Sequence, residues 1–140
     1  MRSGAFIPVA IAALAAAAEP SRSGYVVIVH PGTGVARIDR KLLGEIFLRR
    51  ATRWPDDSPI RPVDLAPDAR ARARFAEDVL SRSVASVRSY WQQRIFSGQG
   101  LPPPELQDDE VVAYVLSHPG AIGYVTPGTP LNGAKTVALD

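Results

Sequence analysis

Five apolar residues in succession, Tyr25-Val26-Val27-Ile28-Val29, show no polar alternation, the pattern of a strand covered on both faces. Such a strand belongs at the centre of its sheet. His30-Pro31-Gly32-Thr33-Gly34 closes it as a turn, and the hydrophobic period then becomes helical, with Leu42, Leu43, Ile46 and Phe47 on one stripe. Asp39 precedes that stripe as an N-cap, and Arg49-Arg50 ends it with cations that suit a helix C-terminus.

Thr52 to Asp57 is rich in turn formers, and Ile60 to Leu65, with Pro62 inside it, predicts an edge strand or a short one. A helix is expected to begin around Pro67-Asp68 and to reach Leu80. Its apolar stripe is Phe75, Ala76, Val79 and Leu80, with Arg70, Arg72 and Arg74 on the other side or its margins and Arg74 paired with Asp78 at i, i+4. From Val84 a further helix places Val87, Trp91 and Ile95 on one face, makes Trp91 a core residue, and ends at Gly98 or Gly100. Leu101-Pro102-Pro103-Pro104 cannot be helical and predicts a stiff connector.

The most distinctive stretch is Ser117-His118-Pro119-Gly120-Ala121-Ile122-Gly123-Tyr124-Val125. A helix that starts at Asp108 or Asp109 and carries Val111, Val112, Val115 and Leu116 must stop at Pro119, which has no N–H, while Gly120 accepts the positive φ of a helix exit. Ile122 to Val125 then reads as a buried strand, and Lys135 to Leu139 as a last, alternating one. Strands separated by helices indicate a layered α/β domain.

Composition narrows the function. The 140 residues are 46% hydrophobic and 21% charged, the balance of one ordinary globular domain. A net charge of +2 and the lack of a basic stripe with stacking aromatics argue against nucleic acid as a partner. There is no cysteine, so disulfides and thiolate metal sites are excluded. At the N-terminus Arg2 precedes an uninterrupted apolar run from Ala5 to Ala18, with small residues at Ala16 and Ala18. This predicts a secretory signal peptide over residues 1–18, ahead of the alternative of a retained anchor, because the run is shorter than the roughly 20 residues that span a bilayer. The remaining domain is 19–140, with no stable membrane insertion after cleavage.

Few residues suggest chemistry. The glycines of His30 to Gly34 lack the lysine-serine sequel of a phosphate loop, so a strand-ending turn is the better reading. His30 and His118 are the only histidines, each directly before a proline, with no further ligand at metal spacing. Neither a Gly-x-Ser-x-Gly elbow nor a Ser-x-x-Lys pair is present, and Asp56-Asp57 and Asp108-Asp109 are explained by a loop and a helix start. No catalytic residue, metal site or cofactor site is therefore expected. Arg70, at the start of a helix whose first amides are free, is the one candidate for holding an oxyanion.

Three segments, in order, resemble the second lobe of the phosphate-binding proteins of bacterial ABC transporters, which have the type 2 periplasmic binding protein fold. Tyr25 to Pro31 and Leu42-Leu43-Gly44-Glu45-Ile46-Phe47-Leu48-Arg49-Arg50-Ala51-Thr52-Arg53-Trp54 are similar to that lobe's strand, helix and following phrase. Pro62-Val63-Asp64 is similar to the strand before the ligand loop, and Gly120 to Val125 to the closing Gly-Ala-Ile-Gly-Tyr-Val. Tyr90 to Gly98 resembles small, single-lobe members of the family.

The resemblance implies an α/β fold like a single lobe of these proteins, a mixed sheet flanked by helices. It also implies export to the periplasm and a non-enzymatic solute-binding role, with phosphate or another small oxyanion as ligand and a membrane transporter as partner. Family members that bind phosphate carry an Arg shortly before a Ser-Gly-Thr at the helix start. Aligned on Phe75, Leu65 stands at the arginine position and Ala69-Arg70-Ala71 replaces Ser-Gly-Thr. The expected oxyanion ligands are accordingly the backbone amides of Asp68, Ala69 and Arg70, with the Arg70 side chain. The alternative expectation is a scaffold that has lost its ligand and serves as an interaction module for a membrane sensor or transporter component.

Overall fold

A computed structural model describes residues 23–140. The segment expected to be a signal peptide lies outside the described residues, as does the start of the domain expected at 19. Val26–Val29 forms β1, Arg37–Ile38 forms β2 and Arg40–Phe47 forms helix α1. Arg61–Pro62 and Asp64–Leu65 form β3 and β4. Helix α2, Arg70–Phe75, runs directly into a π-helical turn, Ala76–Leu80. Helix α3 spans Val84–Phe96, β5 Glu105–Leu106, helix α4 Asp108–Ser117 and β6 Ala121–Val125. Lys135–Thr136 and Ala138–Leu139 are β7 and β8.

The main sheet has the order β3-β6-β1-β7, so the continuous apolar strand is interior, as its pattern predicts. β1 is antiparallel to both β6 and β7, and β3 is parallel to β6. This is a mixed sheet flanked by helices, the α/β arrangement expected. Pro62 sits on the edge strand β3, where its missing N–H breaks no ladder on the open side.

The stretch from Ile60 to Leu65 is not one strand. Val63 donates to Ile122 O at 2.9 Å, after which Asp64 and Leu65 leave β6 and pair with β5 in a separate two-stranded ribbon. The last strand divides in the same way: Lys135 and Thr136 pair with β1, and Ala138 and Leu139 with β2.

Local signals explain the helix ends. The Asp39 side chain accepts from the Leu42 amide at 2.7 Å, which satisfies one of the orphan donors of α1. At α4, the Gln107 amide donates to Glu110 Oε1 at 3.0 Å, one half of a capping box. Gly120 takes φ +86° at the exit from α4, as the Pro-Gly pair requires.

The core gathers four aromatic rings from separate elements. Phe75 of α2 stacks on Tyr124 of β6 at 3.9 Å between centroids and 5° between planes. Tyr25 and Phe47 meet Phe75 edge-on at 5.4 and 4.8 Å. The stacked and T-shaped geometries add to the area these rings bury. Val87 and Trp91 of α3 form a smaller cluster with Ala76.

Four side-chain expectations need correction. Leu42 and Ile95 face solvent rather than the core, because each lies at the margin of its helix's buried face. Arg72, expected on the side of α2 away from its apolar stripe or at the margins, is buried at 5% exposure. Asp78 does not pair with Arg74: it accepts from Tyr25 Oη at 2.5 Å and faces Arg40 at 3.2 Å, while Arg74 lies 3.8 Å from Glu77. The π turn that begins at Ala76 shifts the later residues of the helix out of the i, i+4 register assumed for the Arg74–Asp78 pair.

Candidate functional site

The site expected from the sequence, Asp68 to Arg70, lies where the chain leaves β4 and enters α2. Ala66 donates to Leu106 O at 2.9 Å, Ala69 to Ala66 O at 3.1 Å, and Arg72 to Ala69 O at 3.0 Å, so the backbone of this entry is held from both sides. Ala69 occupies the N-cap with extended φ/ψ and makes no side-chain cap. A methyl group cannot accept, so the first-turn N–H groups have no side-chain partner from the N-cap. Asp68 and Arg70 are exposed and Ala69 is half-buried. Arg70 makes no ion pair among the described residues. Of the three amides expected as oxyanion ligands, that of Ala69 is taken by Ala66 O.

Leu65, at the position where the resembling family carries its anion-binding arginine, is fully buried. Ala71 is buried as well. Neither offers a donor.

Directly beneath this helix start is a polar network that the sequence reading missed. Arg72 Nη1 donates to Leu65 O at 2.7 Å and to Glu105 Oε2 at 2.8 Å, and Arg72 Nε lies 3.5 Å from Asp64 Oδ1. Asp64 Oδ1 also accepts from Tyr124 Oη at 2.5 Å and from the Leu65 amide at 2.9 Å. Burial pushes the Asp64 carboxyl up from its ordinary value, while Arg72, the Tyr124 hydroxyl and the Leu65 amide oppose the rise. Burial, followed by the nearby Asp64 charge, keeps the Tyr124 hydroxyl protonated well above its ordinary range. The network clamps β4, β5, β6 and α2 together. Its guanidinium is spent on protein groups, so it supports the helix start without offering itself to a ligand.

The signal for Arg72 was present in the sequence. Arg72, Phe75, Ala76 and Val79 fall at i, i+3, i+4 and i+7, so the apolar stripe of α2 begins at an arginine.

A concavity lies at the other end of the sheet. Register places His30, just past β1, beside the start of β6, where its amide donates to Ala121 O at 3.2 Å, and Arg61 opposite Ala121. The segment from Arg61 to Leu65 carries the chain from that end to the start of α2. The concavity has a volume of about 730 Å³ and is bounded by the His30–Val35 turn, the Trp54–Pro59 loop, Arg61 and His118–Gly120.

No protein-family model matches the chain. Among solved structures, it is similar to a protein from Clostridium perfringens described as a phosphate ABC transporter substrate-binding protein and solved with bound phosphate. That match has 18% identity and a TM-score of 0.66 over 84% of this chain and 45% of the other. It is also similar to an ABC-type phosphate transport receptor from Vibrio cholerae, at 16% identity and a TM-score of 0.60 over 83% and 46% of the two chains. PstS from Borrelia burgdorferi matches at 14% identity and a TM-score of 0.58 over 84% and 47%. The chain spans less than half the length of these structures. It has the fold of one lobe of a type 2 periplasmic binding protein, in agreement with the resemblance read from its segments. Among the described residues no helix is long and apolar enough to cross a membrane.

Proposed function

We propose that this chain is an exported, non-enzymatic binding protein of the periplasm that holds phosphate or another small oxyanion at the start of α2. The observation that carries this reading is the uncapped first turn at Ala69 beside the exposed Arg70, which makes no ion pair among the described residues. The Ala69 amide is already donated to Ala66 O at 3.1 Å, so the Asp68 and Arg70 amides and the planar Arg70 guanidinium are the donors that suit an oxyanion, the amides by direction and the arginine by its paired donors. The likeness to a structure solved with bound phosphate supports the same ligand class. Without hydroxyl donors at Ala69 and Ala71, binding is expected to be weaker than a site with a full set of donors would give.

Isothermal titration of the protein with phosphate, sulfate and small carboxylates tests this. Saturable heat that Arg70→Gln removes is the expected result. Absence of heat at millimolar anion, about 4 kcal/mol of binding free energy, overturns it.

A second reading rests on a different observation. Phe96 is 92% exposed and Leu101 67% exposed, close together in sequence at the end of α3 and the start of its connector. Large apolar side chains so exposed suit a protein contact. On this reading the lobe is an interaction module for a membrane sensor or transporter component. Capture of such a component by the native protein, lost in Phe96→Ser, supports it.

A further inference from the structure

The chain's two histidines each open a His-Pro-Gly triplet, His30-Pro31-Gly32 and His118-Pro119-Gly120. Nearly ninety residues separate them in sequence, yet the antiparallel pairing of β1 with β6 brings both turns to one end of the sheet. There both form parts of the wall of the same concavity, of about 730 Å³. That volume falls within the range of small-molecule sites, roughly 300–1,000 Å³.

Hydrogen bonds set a different role for each imidazole. The Gly32 amide donates to His30 Nδ1 at 2.9 Å, so in the neutral ring the proton is on Nε2. His118 Nδ1 lies 2.8 Å from Tyr114 O. A carbonyl only accepts, so Nδ1 carries a proton, and in the neutral ring Nε2 keeps its lone pair. Stacking on Tyr114, at 3.9 Å and 15°, holds the His118 ring in place. The remaining ring nitrogens therefore comprise one donor, His30 Nε2–H, and one acceptor, His118 Nε2.

The charged lining is divided in the same way. Arg61 is exposed on the rim and makes no ion pair among the described residues, and Asp56 lines the same space without pairing with it. The Ser58 hydroxyl and amide both donate to Asp56 Oδ1, at 2.6 and 3.0 Å. Those hydrogen bonds hold the Asp56 carboxyl below its ordinary value and leave Oδ2 free. Besides the histidines, the ionisable groups of the lining are Arg61 and Asp56, of opposite charge. A simple anion or cation would meet one favourable and one unfavourable group, whereas a zwitterion satisfies both.

Apart from Thr33 and the glycines, the rest of the wall is apolar. Trp54 is part of the lining, with its indole N–H already donated to Gly120 O at 3.0 Å, and Pro55, Pro59, Pro119 and Val35 supply further apolar surface. Among the described residues no three His, Asp or Glu side chains converge as metal ligands.

We infer that this concavity is a second binding site, separate from the start of α2, for an α-amino zwitterion with an apolar side chain. Its carboxylate sits on Arg61 and His30 Nε2–H, its ammonium group on Asp56 and His118 Nε2, and its side chain against Trp54 and the prolines. A free amino acid and a short apolar peptide share this chemistry.

The test is a titration of the ¹⁵N-labelled protein with L-leucine, L-leucyl-L-leucine, 4-methylpentanoate and isopentylamine, followed by nuclear magnetic resonance. The chain has two tryptophans, so Trp54 reports the site and Trp91, in its own cluster, serves as the internal control. The expected result is a saturable shift of the Trp54 indole resonance with leucine or the dipeptide, and none with the two single-charge analogues. Whichever zwitterion binds more tightly identifies the source. Arg61→Gln and Asp56→Asn should each weaken binding about tenfold or more, as loss of a charge-assisted hydrogen bond does. Both side chains are exposed, and an otherwise unchanged spectrum shows that the variants fold. Arg70→Gln should leave this binding intact while removing phosphate binding. The inference is overturned if neither zwitterion binds at about 10 mM, a binding free energy weaker than about 3 kcal/mol. It is equally overturned by single-charge analogues that bind as well, by a shift confined to Trp91, or by loss of binding in Arg70→Gln.

Discussion

Arg72 Nε faces Asp64 Oδ1 at 3.5 Å with both side chains buried, under the helix start proposed to hold an anion. Removing one member of such a pair leaves the other as an uncompensated charge, which costs about 3–5 kcal/mol, whereas replacing both by apolar groups costs much less. Arg72→Met should therefore lower urea stability by about that amount at pH 7, and Asp64→Leu combined with Arg72→Met should recover most of it. The sign of the pH dependence follows. In Arg72→Met the folded-state pKa of Asp64 is raised further above its unfolded value, so its stability is fullest below the unfolded pKa and is lost as pH rises through the folded one. The single variant should thus regain stability on acidification. Equal losses in the single and double variants would show that the pair is not coupled.

Two glycines of the Gly120 to Tyr124 phrase are tied to packing. A Cβ on Gly123 would lie 2.7 Å from Val63 Cγ1 and 2.9 Å from Val111 Cγ1, where β6 passes between β4's approach and α4. Overpacking of this kind costs about 1–3 kcal/mol. A Cβ on Gly120 would meet the Pro59 carbonyl oxygen at 2.5 Å and would also occupy φ +86°. Gly120→Ala and Gly123→Ala should each lower the melting temperature clearly. Gly34→Ala, with open space around it and no left-handed φ, should change stability by less than about 0.5 kcal/mol.

Alkaline pH probes the aromatic core. Burial, then the hydrogen bond to Asp78, raises the Tyr25 hydroxyl above its ordinary range, and burial with Asp64 does the same to Tyr124. Above the ordinary tyrosine value of about 10, the unfolded chain releases two protons that the fold retains. The unfolded state then binds fewer protons, so stability falls with pH, approaching about 2.7 kcal/mol per unit for two groups. Chemical denaturation between pH 9 and 11 measures the slope, and Tyr25→Phe should reduce it by about half. A flat profile over that range would falsify the retention of both protons.

How much of this was legible differs between the fold and the sites. The interior strand, the cap at Asp39 and the Pro119-Gly120 exit are encoded locally, by residues that act on their own neighbours. The break at Val63 is not local: the chain changes partners there from β6 to β5, and nothing between Ile60 and Leu65 records the existence of β5. Arg72 was legible in the helical period but was hidden by its residue type, since arginine is rarely buried unless paired and its partners, Asp64 and Glu105, lie elsewhere in the chain. The concavity between the two His-Pro-Gly turns was illegible for the same reason. Each turn alone is an ordinary strand or helix exit, and only the β1–β6 pairing brings them together.

Ala69 offers the most direct test of the helix start. Replacing it with Asp installs an N-cap acceptor at a position whose φ of −75° and ψ of 137° already suit one. The cap should add about 1 kcal/mol, read as a rise of several degrees in melting temperature. The same carboxylate would occupy the first-turn amides and repel an incoming anion, so phosphate binding should disappear from a protein that has become more stable. Ala69→Ser separates the two effects, because its hydroxyl caps the turn without a charge and remains able to donate to an oxyanion. It should gain stability and keep the ligand. If Ala69→Asp is stabilised and still binds phosphate as the parent does, the anion does not use these amides, and the proposed site at Asp68, Ala69 and Arg70 is wrong.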